Sequence, residues 1–174
     1  MKMIVASRDT DFGPMIQVDM EIKSFLSMWL YCDQISSYLA RMVSHNRSDS
    51  VRHSNLFSSV ANELLEVAFR TRHPDGELAC RVSRQGRVDR IELTFPCTPE
   101  ERQFYREALS QIVGSATGDR YMNSVSGDLS PSREVVLLEL AVDYKAKLRL
   151  EETEADTIKL VVDLPLEDLP SEPV

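Results

Sequence analysis

Val51 to Phe69 places Phe57, Val60, Ala61, Leu64, Leu65, Ala68 and Phe69 three and four residues apart, and so predicts the strongest amphipathic helix of the chain. It stops at Pro74-Asp75-Gly76, where proline removes a donor and glycine permits positive φ. Two β-like runs follow, Glu77 to Arg84 and Val88 to Phe95, joined by the short glycine-containing connection Gln85-Gly86-Arg87 that suits a hairpin. Alternation sets Leu78, Cys80 and Val82 on one face and Ile91, Leu93 and Phe95 on the matching face of the second strand. One side of that hairpin is therefore expected to be buried.

Downstream, Thr98-Pro99-Glu100-Glu101 reads as a helix start, with threonine at the N-cap, proline at the first helical position and glutamate at the third. Phe104, Ala108, Leu109, Ile112 and Val113 mark its buried face, up to Gly114. Residues 115–130 read as loop with one short helix near 120–125, and Ser130-Pro131 opens a helix with apolar positions Val135, Leu137, Leu138, Ala141 and Val142. A second hairpin closes the pattern, Lys147 to Glu152 and Thr157 to Leu166. Upstream, residues 1–32 are the least patterned: Gly13-Pro14 breaks them, and Phe25 to Tyr31 fits either a strand or the approach to a helix. Asp33 then reads as an N-cap for Ile35, Tyr38, Leu39, Met42 and Val43, a helix running to about Ser44, and His45 to Ser50 breaks the pattern before Val51. Helix, helix, hairpin, helix, helix, hairpin predicts an α+β two-layer sandwich, with a mixed, largely antiparallel sheet covered on one face by helices. One domain is expected over 1–166, followed by a disordered acidic, proline-rich tail at 167–174.

Composition agrees with a packed domain: 174 residues, 43% hydrophobic and 28% charged. A net charge of −8 repels phosphate backbones and anionic lipid, so nucleic acid and membrane surfaces are not expected partners. Arg81, Arg84, Arg87 and Arg90 recur at strand spacing and read as the solvated face of the first hairpin. The N-terminus carries no apolar run fit for a signal peptide and no segment is long enough to span a bilayer, which predicts a cytoplasmic protein. Cys32, Cys80 and Cys97 lack a Cys-x-x-Cys pair and read as core or strand thiols. His45, His53 and His73 share no metal-ligand spacing and read as surface residues.

The segment Ala61-Asn62-Glu63-Leu64-Leu65-Glu66-Val67-Ala68 resembles the N-box helix of the GHKL superfamily of histidine-kinase-like ATPases, and the hairpin after it keeps that fold's order. Leu138 to Leu148 and the closing Val161-Val162-Asp163-Leu164-Pro165-Leu166 are similar to the end of small single-domain members, the anti-sigma-factor-type serine kinases and kinase-like regulators of the SiaB type. The resemblance spans roughly Val51 to Leu166 and implies the histidine-kinase-like ATPase fold. It places a catalytic carboxylate at Glu63 and, four residues on, an amide oxygen for the Mg²⁺ that bridges the phosphates. That second position is Val67, which offers a hard cation nothing. The family's Asp-x-Gly-x-Gly turn, whose aspartate reads adenine, is replaced by Leu93-Thr94-Phe95-Pro96-Cys97-Thr98-Pro99, and its later glycine-rich phosphate turn by Leu129-Ser130-Pro131-Ser132-Arg133-Glu134.

The resemblance thus implies a scaffold without ATP chemistry, a pseudo-ATPase regulator with no cofactor, in which Glu63 is a vestigial base. Its implied partners are STAS-type or response-regulator proteins. An alternative reading keeps Glu63 as the base of an anti-sigma-type serine/threonine kinase that uses ATP and Mg²⁺. A third is a homodimeric scaffold paired through Ile35, Tyr38, Leu39 and Met42 of the first helix. Asp143 and Tyr144, at the end of a predicted helix, are assigned ordinary boundary chemistry.

Overall fold

Three packing problems shape this chain: a long amphipathic helix, a polar end to the sheet beneath it, and a chain end that has to be tied down. The computed structural model describes residues 11–26, 30–70, 75–113, 133–154 and 156–170. Five strands form one sheet: β1 (Gly13–Glu21), β2 (Glu77–Gln85), β3 (Val88–Pro96), β4 (Lys147–Glu154) and β5 (Thr157–Leu164). Among the described residues five helices accompany them: α1 (Ile22–Leu26), α2 (Leu30–Ser44), α3 (Ser50–Phe69), α4 (Pro99–Ile112) and α5 (Arg133–Asp143), with a 3₁₀ turn at Leu166–Asp168. The strand order is β1-β2-β3-β5-β4, and every neighbouring pair is antiparallel. The α+β two-layer sandwich expected from the sequence is present, and its sheet is antiparallel throughout rather than mixed.

Side-chain parity builds the layers. Leu78, Cys80 and Val82 of β2, Ile91, Leu93 and Phe95 of β3, and Ile158, Leu160, Val162 and Leu164 of β5 are buried on one face. Phe57, Val60, Leu64, Leu65 and Ala68 of α3 are buried in the same core. Burying each such large apolar side chain contributes about 1.5–3 kcal/mol. The opposite face is polar: Arg81 donates to Gln17, Lys159 pairs with Glu92 and Glu151, and Asp163 accepts from Arg90 and Arg149.

Local chemistry fixes the boundaries. Asp49 caps α3 by accepting from the Arg52 amide at 3.0 Å. At α4 the predicted capping box is present, with the Thr98 hydroxyl accepting from the Glu101 amide and the Glu101 carboxylate accepting from the Thr98 amide. The hairpin β2–β3 turns on Gly86-Arg87, with Gly86 at φ 57°, and after α5 Lys145 takes the left-handed φ of 51° while the Ala146 amide reaches back to the Leu140 carbonyl.

Four expectations need correction. β1 was not foreseen: its inward residues Ile16, Val18 and Met20 pair with Val82, Cys80 and Leu78, and Pro14 is tolerated because the strand lies at the sheet edge beside a bulge. Asp33 is not an N-cap, since α2 starts at Leu30 and leaves Asp33 in the first turn, where its charge suits the helix dipole. Val113 is exposed rather than part of the buried face of α4. Nor does packing end at Leu166. Glu167 pairs with Arg47 and Arg87, and Arg52 donates to the carbonyls of Leu169 and Pro170, so the chain is tied down to residue 170. The predicted short helix near 120–125 and the last four residues of the predicted tail lie outside the described residues. Among the described residues, no helix is long and apolar enough to cross a membrane.

Candidate functional site

The helix face that the sequence singles out carries Glu63 at its rim and Val67 beneath it. Glu63 is half-buried, and its carboxyl is pushed above the ordinary range by loss of solvent and by the nearby charges of Glu66 and Glu139, against a smaller opposing effect of Arg70. Glu139 on α5 is raised too, by burial and by Asp143. Tyr144 joins the same corner. Its phenol is raised mainly by burial and by Glu139, opposed by a hydrogen bond with Ser59. Asp143 and Tyr144 therefore belong to an acidic corner between α3 and α5 as well as to the end of a helix. On the adjoining stripe the Asn62 amide nitrogen donates to Glu66 at 2.8 Å, while its buried Oδ1 has no hydrogen-bond partner among the described residues; both residues lie on a different helix face from position 67.

Val67 is 2% exposed and Tyr105, reaching over from α4, is 1% exposed. The Tyr105 hydroxyl lies 3.5 Å from the Val67 carbonyl, and its ring meets Phe95 and Phe104 edge-on. Burial holds this phenol well above its ordinary pKa, so it stays protonated. Arg133, the first residue of α5, sits over the Phe104 ring and 3.9 Å from Glu101. The turn after β3 is equally committed: the Cys97 amide donates to the Asp156 carbonyl, and Pro96 packs so closely on Gly76 that a Cβ there would come within 2.8 Å of it. Leu129 to Ser132 lie outside the described residues.

A residue group that the sequence reading missed lies at the other end of α3. His53 is buried, not a surface residue, and its Nε2 is 2.6 Å from Asp89 while its Nδ1 is 2.7 Å from the Ser44 hydroxyl. A carboxylate only accepts, which puts a proton on Nε2. Asp89 is 0% exposed and also accepts from Arg84 at 2.6 Å and Arg47 at 3.0 Å. Burial opposes its ionisation, but hydrogen bonds from His53 and Arg84 and the charges of Arg84 and Arg47 outweigh that and hold its carboxyl below the usual range. Arg84 donates in addition to the Val43 carbonyl at the end of α2, and Arg47 to the Gly86 carbonyl and to Glu167. The serine, histidine and aspartate form a chain of hydrogen bonds, yet Ser44 is buried and the aspartate is shared with two guanidiniums. The arrangement is a polar knot that joins α2, α3, the β2–β3 hairpin and the chain end.

This knot corrects the reading of the arginines. Arg81 and Arg87 are exposed, whereas Arg84 is half-buried on Asp89 and Arg90 is buried against Asp163. Parity carried the signal for Arg84 and Asp89: they extend the inward series of their strands and face one another in register. His45 is exposed, and His73 lies outside the described residues. All three cysteines are buried free thiols, with burial pushing Cys32 up to about 11 and Cys80 up to about 12. Among the described residues no group of three or more His, Cys, Asp or Glu could hold a metal ion. A cleft of about 920 Å³ runs along the first half of α3, lined by Val51, Arg52, Leu56, Asp143, Tyr144 and Leu169, and it includes neither Glu63 nor Val67.

No family model, curated protein or solved structure matches the chain.

Proposed function

We propose that this chain is a non-catalytic regulatory protein of the histidine-kinase-like ATPase type, acting through protein contacts rather than through ATP. The observation that carries the reading is Val67. It stands where the resemblance requires a magnesium-binding amide, and its side chain is buried. The turn Phe95 to Thr98, without aspartate or glycine, and Arg133 engaged by Glu101 and Phe104 support the same reading. The order of elements from α3 to β5 is compatible with it. By the resemblance, the partner class is a STAS-type or response-regulator protein in bacterial signalling. Calorimetric titration of the full chain with ATP and Mg²⁺ is expected to give no heat of specific binding. Saturable micromolar binding would sink the proposal.

One observation favours an active serine/threonine kinase as a second reading. Glu63 is half-buried, and its carboxyl is raised by burial, Glu66 and Glu139, the direction that suits a proton acceptor near neutral pH. On that reading Glu63→Gln abolishes phosphate transfer from ATP to a STAS-type substrate. On the preferred reading neither the native chain nor the variant transfers any. Autoradiography with labelled ATP decides between them.

A further inference from the structure

The docking stripe expected on α2 is broken by Leu39, which is buried within the domain. Helix α3 instead lines a concave surface, the cleft of about 920 Å³ that it shares with the end of α5 and the chain end. Val51, Leu56, Leu169 and Pro170 supply its apolar lining, with Val51 exposed at the rim and Leu56 and Leu169 seated on the core. A concavity of this size, partly apolar and edged by polar groups, has the form of a binding site.

Charge then identifies the occupant. Asp143 and Tyr144 line the cleft from α5, and Tyr144 bonds to Ser59, which lies between Leu56 and Glu63 on one stripe of α3. Glu139 is one turn before Asp143 and close enough to Glu63 to disfavour its charge, so the acidic corner opens directly from the cleft. That corner is short of cations. Among the described residues neither Glu63 nor Glu139 makes an ion pair, Arg70 is paired with Glu66, and Arg52 of the cleft wall is committed to the Leu169 and Pro170 carbonyls at 2.9 Å each. Carboxylates crowded beside an apolar trough are complementary to a cation that brings apolar surface with it. Spacing adds a further constraint. Leu56 and Glu63 stand two turns, about 10 Å, apart along α3, and a second helix laid beside it repeats at the same rise. We infer that the cleft receives an amphipathic helix of a partner protein, its apolar side on Val51, Leu56 and Leu169, and an arginine or lysine about two turns further along at Glu63 and Glu139. The choice of a protein as occupant rests on the reading of the chain as a protein-contact regulator, but its test contains no nucleotide, so failure here and failure of the ATP prediction are separate results.

Fluorescence anisotropy of the full chain with three labelled helical peptides of equal length tests it. The first carries leucines and, two turns on, arginines; the second has glutamates in place of the arginines, and the third alanines in place of the leucines. The first is expected to bind saturably and the other two at least about tenfold more weakly. Glu139→Lys and Val51→Asp are each expected to weaken the first peptide at least about tenfold, while Glu107→Lys, the same charge change at an exposed position of α4, leaves it within about twofold. Val51 and Glu107 are exposed, so melting of those variants should match the native chain. Asp143→Lys supplies a second charge change should Glu139→Lys melt early. Absence of saturable binding by the first peptide overturns the proposal. So does binding that either control peptide equals, binding indifferent to Val51→Asp or to the charge change on α5, or a loss in Glu107→Lys as large as in Glu139→Lys, which is attraction to the net charge of −8 alone.

Discussion

Asp89→Ala is expected to cost about 3–5 kcal/mol, the range typical of removing one partner from a buried ion pair. Asp89 is completely enclosed and accepts from His53, Arg84 and Arg47 at once. Without it, the Arg47 side chain remains buried with its positive charge balanced, among the described residues, by Glu167 at the margin of the knot. The loss also spreads, because Arg84 and Arg47 hold the end of α2 and the Gly86 turn through the Val43 and Gly86 carbonyls, and Arg47 holds the Glu167 carboxylate, all in the same orientation. Urea unfolding followed by circular dichroism measures it. A loss below about 1 kcal/mol would show that the knot contributes no more than an exposed pair does.

Acid acts on the same group, and the sign follows from its depressed carboxyl. A carboxylate held below its unfolded value contributes stability that is fully present above the unfolded value and disappears as pH falls through the folded one. The native chain is therefore expected to lose stability on the acid side of the ordinary aspartate range, and Asp89→Asn to show a flatter acid limb from a lower starting stability. Coincident limbs would remove Asp89 from the acid transition.

The parts legible in the sequence were those written locally. The stripe on α3, the box at Thr98 to Glu101 and the alternation of Leu78, Cys80 and Val82 need only a few residues to declare themselves, and each stands where expected. β1 alternates as well as β2 does, but Gly13-Pro14 at its start reads as a break unless one knows that the strand lies at an edge. The knot was missed for a different reason. His53 lies one turn before Phe57 on the buried stripe, which was a usable signal, but its partner Asp89 is on a distant strand and no local pattern joins them. Of the candidate site, the sequence placed Glu63 and Val67 on one helix. That the Tyr105 hydroxyl of α4 reaches the Val67 carbonyl of α3 is a tertiary fact that spacing does not contain.

Tyr105 is the buried side chain that meets the Val67 carbonyl, and its two halves separate experimentally. Tyr105→Ala is expected to cost about 3–5 kcal/mol, as for other large buried aromatics, because a ring 1% exposed and set edge-on to Phe95 and Phe104 leaves a cavity the neighbours cannot close. Tyr105→Phe is expected to cost about 1–2 kcal/mol, since the hydroxyl gives up a long contact with the Val67 carbonyl at 3.5 Å and a hydrogen bond with Arg133. Chemical unfolding of the two variants side by side measures the difference, and equal losses would move the contribution from the ring to the hydroxyl. The alanine variant also bears on the proposed loss of ATP chemistry. Its new cavity lies against Val67 and Phe95, neither of which offers a side-chain oxygen to a hard cation, so magnesium and ATP are expected to find no more purchase than in the native chain. A Tyr105→Ala chain that took up the nucleotide where the native chain does not would make the ring a plug over a working site, and Val67 would no longer explain the silence of the native protein.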